Sequence, residues 1–213
     1  MARGRFITLE GGEGAGKSTQ AKLLGTWLVA PERVAVLTRE PGGSPGAEQI
    51  RALLVEGEPD RWDPIAEALL HYAARRDHLR RTIEPELALG RWVVCDRFID
   101  STMAYQGYGH GLDRDFIRGL ERAVIGDLRP DLTLILDLPV ELGLKRAAER
   151  RGTEARYEAM DRAFHERLRA GYRAIAAAEP DRCVLIDADA EPMVVQRRIR
   201  DTVRMRFSAD FAA

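Results

Sequence analysis

Short apolar runs alternate with longer amphipathic stretches along the chain. Five of the runs have the length of a strand, contain β-branched residues and are apolar at consecutive positions. This pattern is typical of strands that are buried on both faces of a parallel sheet. We expect these strands at Phe6–Glu10, Val34–Thr38, Trp92–Asp96, Thr133–Asp137 and Cys183–Asp187.

The stretches between these runs have the apolar spacing of amphipathic helices. The expected helices are Lys17–Val29, Pro45–Val55, Pro64–Leu89, Asp113–Ile125, Pro139–Arg150, Ala159–Ala178 and Glu191–Phe207. Pro64 and Pro139 suit the first turn of a helix, whereas Pro85 is expected to kink or end the third helix. The last residues, Ser208–Ala213, are expected to fray.

This alternation predicts an α/β fold. The expected architecture is a doubly wound, five-stranded parallel sheet with helices on both faces and right-handed crossovers. The length of 213 residues fits a single domain, 1–213, and no repeat or linker divides the sequence. In such a sheet, ligands bind beyond the carboxyl ends of the strands, so the residues that follow each run are candidates for function.

Composition narrows the classes of partner. The 33 Lys and Arg residues nearly balance the 34 Asp and Glu residues, which gives no electrostatic reason to expect nucleic acid or an anionic membrane. No apolar run approaches the ~20 residues of a membrane helix, and the N-terminus lacks a signal-peptide pattern, so we expect a cytoplasmic protein. Cys95 and Cys183 lie in apolar runs and are expected to be core residues.

The segment Gly11–Ser18 matches the phosphate-loop pattern G-x-x-x-x-G-K-[ST] between the first strand and the first helix. Glycines let the backbone N–H groups turn inward, where they and the helix N-terminus bind phosphate oxygens. Lys17 supplies a positive charge to those oxygens, and Ser18 offers a hydroxyl to Mg²⁺. The expected nucleotide-binding residues are Gly11, Gly12, Glu13, Gly14, Ala15, Gly16, Lys17, Ser18 and Thr19.

A phosphate loop alone does not distinguish a GTPase, an ATPase motor and a small-molecule kinase. The chain contains no asparagine, so the Asn-Lys-x-Asp guanine clamp of GTPases is absent in its usual form. A motor would need a longer chain. The sequence therefore favours a small-molecule kinase.

Other charged residues follow the second and third strands. Arg39 suits a second phosphate, although a solvated arginine in a turn is the alternative. Asp96 can reach Mg²⁺ or its waters, and Arg97 can hold the acceptor phosphate, unless the two form a structural ion pair. His71 and Arg75 share one helix face and can present a ring and a guanidinium to a nucleobase.

An arginine-rich segment, about 146–157, is broken by Gly152 and Thr153. Such a segment between two helices is typical of a lid that excludes water and brings guanidinium groups onto a transferring phosphoryl group. The alternative is a charged helix end with i, i+4 Glu–Arg pairs.

Together these segments resemble the bacterial thymidylate kinase (dTMP kinase) family of P-loop kinases. The matching segments are Glu10–Ser18, Thr38–Gly43, Tyr72–Arg75, Asp96–Arg97 with Ser101 and Ala104–Gln106, Arg129–Thr133, and Leu136–Leu138. They follow the family order over nearly the whole chain. The resemblance implies a homodimer that converts dTMP to dTDP with ATP and Mg²⁺. We expect neither nucleic acid nor a membrane as a partner of this protein.

The resemblance also implies roles at the phosphates. Lys17 and the loop amides bind ATP, Ser18 and Asp96 face the metal, and Glu13 approaches the sugar and phosphate of the acceptor. Because no basic residue lies between Gly11 and Gly16, the catalytic arginine is expected in the lid. Arg151 and Arg150 are the first candidates, and Arg146 and Arg156 come next.

At the base, the resemblance implies that Arg75 contacts a thymine carbonyl and that Tyr105 lies under the sugar, where a 2′-hydroxyl would clash. His71 stands where the family usually has a stacking Phe. The residues expected to bind dTMP are Arg39, His71, Arg75, Arg97, Ser101, Thr102, Tyr105 and Gln106. The alternatives are another nucleoside monophosphate or deoxynucleoside kinase and, from a different class, a nucleotide-sensing protein without turnover.

Overall fold

The computed structural model describes residues 3–58, 60–149 and 156–211. Its five strands form one parallel sheet in the order β2-β3-β1-β4-β5, which confirms the predicted architecture. The strands are β1 (Phe6–Gly11), β2 (Ala35–Arg39), β3 (Trp92–Asp96), β4 (Leu132–Asp137) and β5 (Cys183–Asp187). The bounds of β3 and β5 are as predicted, β1 and β4 are one residue longer at one end, and β2 is shifted by one residue.

Helices cover both faces of the sheet, as predicted. They are α1 (Lys17–Leu28), α2 (Pro45–Val55), α3 (Pro64–His78), α4 (Glu84–Ala88), α5 (Ile99–Thr102), α6 (Arg114–Ile125), α7 (Val140–Glu149), α8 (Arg162–Ala178) and α9 (Pro192–Arg206). Side chains cap three of their starts, because Asp63, Asp113 and Asp161 accept hydrogen bonds from first-turn N–H groups.

Several helices differ from the prediction by one to three residues at an end, and two stretches differ in kind. The predicted helix Pro64–Leu89 is divided by a π-helical turn at Leu79–Ile83, and Pro85 lies in the first turn of α4, where it needs no N–H partner. Helix α5 and the π-helical turn Met103–Gly109 that continues it were not predicted. Gly107 and Gly109 suggest a loop in the sequence, and tertiary packing overrides that preference here.

The C-terminal residues are folded back onto the protein as far as the structure describes them. Ser208–Phe211 forms a 3₁₀ turn, so the prediction of a frayed end is wrong for these residues. The Phe211 ring stacks on Trp27 with 5.3 Å between centroids, and the Arg33 guanidinium lies 4.2 Å from the Phe211 centroid. These aromatic and cation–π contacts hold the turn.

The core lies on both faces of the sheet because successive residues of β1 point in opposite directions. Ile7 and Leu9 belong to the cluster that packs against α1 and α9. Phe6 packs on the other face against the π-helical turn Leu79–Ile83. Cys95 and Cys183 are buried free thiols, as predicted.

The parallel register aligns the carboxyl ends of the strands at one edge of the sheet. Arg39 pairs with Asp96 across β2 and β3, and Leu9 pairs with Asp96 across β1 and β3. The loop after β1 therefore lies beside the charged ends of β2 and β3. In the described part of the chain, no helix is both long and apolar enough to cross a membrane.

Candidate active site

The phosphate loop connects β1 to α1 and has the backbone that its glycines predict. Gly14 has a φ of +67°, and a Cβ at this position would lie 2.0 Å from the carbonyl oxygen of Gly143. Gly16 has a φ of +88° and caps α1. Both positions therefore require glycine, the first because the loop packs directly on the backbone of α7.

Lys17 folds over this loop. Its Nζ donates to the carbonyl oxygen of Gly12 at 2.7 Å, and the side chain is buried. Burial, together with the positive charge of Arg97, lowers the pKa of Lys17 to about 8. A bound phosphate would add negative charge beside this ammonium group and so favour its protonated form. A phosphate site requires such a charged lysine.

A cavity of about 400 Å³ opens beside the loop at the carboxyl edge of the sheet. It brings together most of the predicted site residues: Glu13, Gly14, Gly16, Lys17, Ser18, Thr19, Arg39, His71, Asp96, Arg97, Ser101, Tyr105 and Gln106. The predicted residues Gly11, Gly12, Ala15, Arg75 and Thr102 do not line it. We call the part around Glu13, Lys17, Asp96 and Arg97 the P-loop end.

Ser18 and Asp96 meet at the P-loop end in a way that fits Mg²⁺. The Ser18 hydroxyl donates to Oδ2 of Asp96, and Oδ1 of Asp96 is buried without a hydrogen-bond partner among the described residues. A carboxylate and a hydroxyl are ligands that Mg²⁺ accepts beside phosphate oxygens and water. The part of the chain that the structure describes has no cluster of three or more acidic, His or Cys side chains, so a cage made of protein alone is not formed there.

Arg97 is the centre of a hydrogen-bond network at the P-loop end. Among the described residues it is the non-glycine residue with a positive φ, +72°. Its Nη2 donates to Oε1 of Glu13 at 2.9 Å and to the Tyr105 hydroxyl at 2.8 Å, and Nη1 lies 3.4 Å from the Tyr172 hydroxyl. Left-handed backbone in a non-glycine residue is costly and is retained where the surroundings fix it, commonly at functional sites.

Glu10 lies directly behind Arg97 and is fully buried. Its carboxylate accepts hydrogen bonds from the Phe98 N–H at 2.7 Å and from the Ser101 hydroxyl at 2.6 Å. Burial, and next the charge of Asp100, raises the pKa of Glu10 to about 7. Glu10 thus fixes the residues that directly follow Arg97 in the sequence.

Two further arginines line the cavity beside α2. Arg39 is exposed and its Nη2 donates to both carboxylate oxygens of Glu48, at 3.1 and 3.0 Å. Arg51 was missed by the sequence analysis, and its Nη1 donates to the Pro41 carbonyl oxygen at 2.5 Å. Its place on the helix that follows the Thr38–Gly43 motif is the signal that could have indicated it.

The opposite part of the cavity, which we call the far end, is formed by His71, Gln106 and Tyr157. Nε2 of His71 lies 3.0 Å from the Tyr157 hydroxyl, and the Tyr157 ring meets Tyr105 edge-on at 5.1 Å. Burial, with the charge of Arg75, lowers the pKa of His71 to about 3, so the imidazole is neutral near pH 7. Tyr157 was missed by the sequence analysis. The one signal that could have indicated it is its position at the end of the predicted lid segment.

Arg75 lies in the wall behind the cavity rather than in its lining. Its guanidinium donates to Oε2 of Glu40 at 2.7 Å, to the Thr102 hydroxyl at 3.1 Å and to the Phe98 carbonyl oxygen at 3.0 Å. The side chain is fully buried among these partners. The predicted contact of Arg75 and Thr102 with a base therefore stays a prediction.

The lid segment is described in part. Arg150 and Arg151, the first candidates for the catalytic arginine, lie outside the described residues. Nη1 of Arg146 donates to the Ala188 carbonyl oxygen at 3.4 Å. Arg156 is buried, forms an ion pair with Glu67 at 2.5 Å and donates to a carbonyl oxygen of the α2–α3 connection, that of Glu58, at 3.0 Å.

Comparison with known proteins gives one consistent result. The thymidylate kinase family model matches residues 9–199. A thymidylate kinase of Caulobacter vibrioides is 59% identical over 206 residues, 97% of this chain and 99% of the relative, and one of Rhodopseudomonas palustris is 56% identical over 207 residues, 96% of this chain and 90% of the relative.

The similarity extends to three dimensions. A crystal structure of thymidylate kinase from Ehrlichia chaffeensis has a TM-score of 0.78 and 36% sequence identity, and the match covers 94% of this chain and 99% of the other. The family match and these relatives span the sheet, the phosphate loop and both ends of the cavity. The chain belongs to the thymidylate kinase family.

Proposed function

We propose that this protein phosphorylates dTMP to dTDP with ATP, and that the cavity between the phosphate loop and α3 is its active site. The observation that carries the proposal is that one cavity joins a nucleotide phosphate loop, at Lys17, to a second cationic site at Arg97. A kinase needs two such sites, one for the donor and one for the acceptor. Membership of the thymidylate kinase family supports dTMP as the acceptor.

We assign the donor phosphates to the phosphate loop. The loop amides and the N-terminus of α1 bind the β- and γ-phosphate oxygens, and Lys17 neutralises their charge. Ser18 and Asp96 would hold Mg²⁺, which would offset the negative charge that develops on the transferring phosphate. These roles agree with Oδ1 of Asp96, which is buried and has no hydrogen-bond partner in the described part of the chain.

We assign the phosphate of dTMP to Arg97, with Arg39 as its second cation and Arg51 as a further one beside it. A guanidinium binds two phosphate oxygens at once and so fixes both the position and the direction of the acceptor. Glu13 and Tyr105 already orient Arg97 before any ligand arrives. Most of the rate enhancement then comes from alignment for in-line transfer and from charge stabilisation.

We assign the sugar to Tyr105 and the base to the far end of the cavity. The Tyr105 ring would exclude a 2′-hydroxyl, and His71 and Tyr157 supply ring surface for the pyrimidine. Gln106 is the proposed polar residue that lines this pocket, and Ser101 lines the cavity nearer Arg97. Arg75 and Thr102 are proposed polar residues of the wall behind it. One arginine of the lid, Arg151 or Arg150, would stabilise the equatorial oxygens of the transferring phosphoryl group.

We further propose a homodimer. Ile65 and Leu69 are one turn apart on α3 and are each 48% exposed, and Phe116 on the adjacent α6 is 37% exposed. Apolar side chains on two packed helices fit a self-complementary interface. Light scattering at several protein concentrations should give twice the mass of the chain, and a mass equal to one chain would contradict this assignment.

Turnover of ATP with dTMP, dUMP, AMP, CMP, GMP and UMP tests the function. We expect fast turnover with dTMP and weak turnover with the ribonucleotides. Preference for another acceptor would retain the kinase and replace the assignment of the base pocket. ATP binding without turnover on any acceptor would instead support a nucleotide sensor. Thermal shifts with each nucleotide distinguish that case, because a kinase is stabilised by donor and acceptor separately.

A further inference from the structure

Glu67 is a buried carboxylate that touches the far end of the cavity from behind. It lies on α3 and is 1% exposed. Its Oε2 forms the ion pair with Nη1 of Arg156, and its Oε1 accepts a hydrogen bond from Nε2 of Gln106 at 2.6 Å. A carboxylate that is paired with a guanidinium can only accept hydrogen bonds. Gln106 must therefore donate to Glu67 through its NH₂ group.

Gln106 is held in one orientation by this contact. It lies in the π-helical turn that follows α5, it lines the cavity, and it is 1% exposed. Its Oε1, on the opposite side of the amide from the bonded hydrogen, is buried and has no hydrogen-bond partner among the described residues. An unpaired buried acceptor is unfavourable, and a donor that arrives with a ligand would remove that penalty.

We propose that Glu67 is a positioning residue that fixes the amide of Gln106 with its carbonyl oxygen toward the base, so that the site selects a pyrimidine with a hydrogen on N3. This inference rests on the proposed function. Thymine and uracil carry an N3–H donor, whereas N3 of cytosine is an acceptor. A fixed carbonyl oxygen therefore pairs with thymine and opposes cytosine, because two acceptors would face each other.

The other groups around Glu67 support a fixed, ionised carboxylate. Arg156 balances its charge from the segment that follows the lid. His110 lies 3.8 Å away, and burial lowers the pKa of this imidazole, so His110 does not compete with Arg156 for the charge. After burial, the negative charge of Glu67 is the main cause that raises the pKa of Tyr157 well above its usual range. The carboxylate thus lies close to both Gln106 and Tyr157.

The substitution Glu67→Gln tests the inference directly. Its amide can donate or accept, so Gln106 becomes free to rotate by half a turn and to present NH₂ toward the base. We expect the ratio of the inhibition constant of dCMP to the KM of dTMP to fall by about tenfold, with most of the change in binding and little in kcat. Inhibition by dCMP is measurable whether or not dCMP is phosphorylated.

Two further variants separate positioning from a general loss of structure. Glu121→Gln is the matched control, because Glu121 is also paired with an arginine, Arg129, but among the described residues it has no hydrogen bond to a residue that lines the cavity. It should leave the ratio unchanged. Glu67→Asp retains the charge that balances Arg156 but withdraws it from Gln106, so it should fold and still lower the ratio by several-fold.

A double substitution shows whether Glu67 acts through Gln106. In the background of Gln106→Leu, adding Glu67→Asp should not change the dCMP to dTMP ratio any further, because the group that Glu67 positions is gone. Equal losses for dTMP and dCMP in both Glu67 variants, or an unchanged ratio, would overturn the inference. Failure of the wild-type protein to phosphorylate dTMP would be a different result, because it contradicts the proposed function itself.

Discussion

The two ends of the cavity are built in different ways. At the P-loop end, Arg97 is held by Glu13, Tyr105 and Tyr172, and its chain is fixed by Glu10. Glu10 and Arg97 belong to β1 and to the end of β3, which pair in the central part of the sheet. The P-loop end is therefore built on the paired inner strands of the sheet.

The far end depends on contacts between segments that are distant along the chain. Glu67 on α3 meets Arg156 and Gln106, and His71 meets Tyr157. Arg156 and Tyr157 directly follow the lid segment, so lid and far end are covalently continuous. On the proposed assignment, the site for the acceptor phosphate is preorganised by the sheet, whereas the site for the base would depend on residues that directly follow the predicted lid.

Removing Arg156 should have the largest effect and act on the far end. Arg156→Ala leaves the buried Glu67 carboxylate without its cation, and breaking a buried ion pair costs about 3–5 kcal/mol. Denaturant unfolding should show this loss of free energy of unfolding. The control is Arg118→Ala, which removes an exposed pair with Asp115 and should cost about 1 kcal/mol or less. Similar losses for the two variants would show that the ion pair between Arg156 and Glu67 does not stabilise the fold.

Arg97→Ala should have the next largest effect, and its main readout is catalysis. Loss of a preorganised charge at the reacting phosphoryl group lowers turnover by about 10²–10³-fold. Binding of MgATP, measured by calorimetry, should be nearly unchanged, because Lys17 and the loop remain. Turnover close to that of the wild-type protein would remove Arg97 from the mechanism.

The P-loop end carries a pH dependence of stability in the neutral range, whereas the lowered pKa of His71 makes the far end lose stability as the pH falls below about 6.5. Burial and the charge of Asp100 raise the pKa of Glu10 from 4.5 to about 7, so the folded protein prefers the protonated carboxyl. Its stabilising contribution is complete below pH ~4.5 and is lost as the pH rises through 7. Glu10→Gln cannot titrate, so between pH 5 and pH 8 its free energy of unfolding should rise by about 2 kcal/mol relative to the wild-type protein.

Urea unfolding of both proteins at several pH values measures this difference, and the comparison cancels the titration of groups that the substitution does not affect. A difference that stays constant from pH 5 to pH 8 would contradict the raised pKa of Glu10. It would also mean that the carboxylate behind Arg97 is charged at little cost, and that the P-loop end is less tightly closed than its contacts indicate.

The same contrast explains what the sequence could predict. The sheet, most helices and the P-loop end follow from local signals: apolar runs, proline positions and the Gly11–Ser18 and Asp96–Arg97 motifs. The far end follows only in part, because His71, Gln106 and the lid arginine Arg156 were expected from the sequence. Glu67, Tyr157 and the pairing of Arg156 with Glu67 become visible only through long-range contacts. The helix Ile99–Thr102 and its π-helical turn were missed for the same reason, since packing against α8 outweighs the preference of Gly107 and Gly109 for a loop.

The substitution His71→Phe should have the smallest effect and sharpens the view of the far end. A phenyl ring gains stacking area, worth about 0.5–1.5 kcal/mol, but loses the hydrogen bond to Tyr157, worth a similar amount. The two changes nearly cancel, so the KM of dTMP should stay within about threefold of the wild-type value. Tyr157→Phe, which loses the hydroxyl without that gain, should raise the KM more.

The His71→Phe variant also tests the protonation state of His71. Because burial and the charge of Arg75 lower the pKa of His71 to about 3, the imidazole is neutral from pH 5 to pH 8. The KM of the His71→Phe variant should therefore follow the wild-type pH profile over that range, and a difference that appears near pH 6 would show that His71 takes up a proton in the working enzyme.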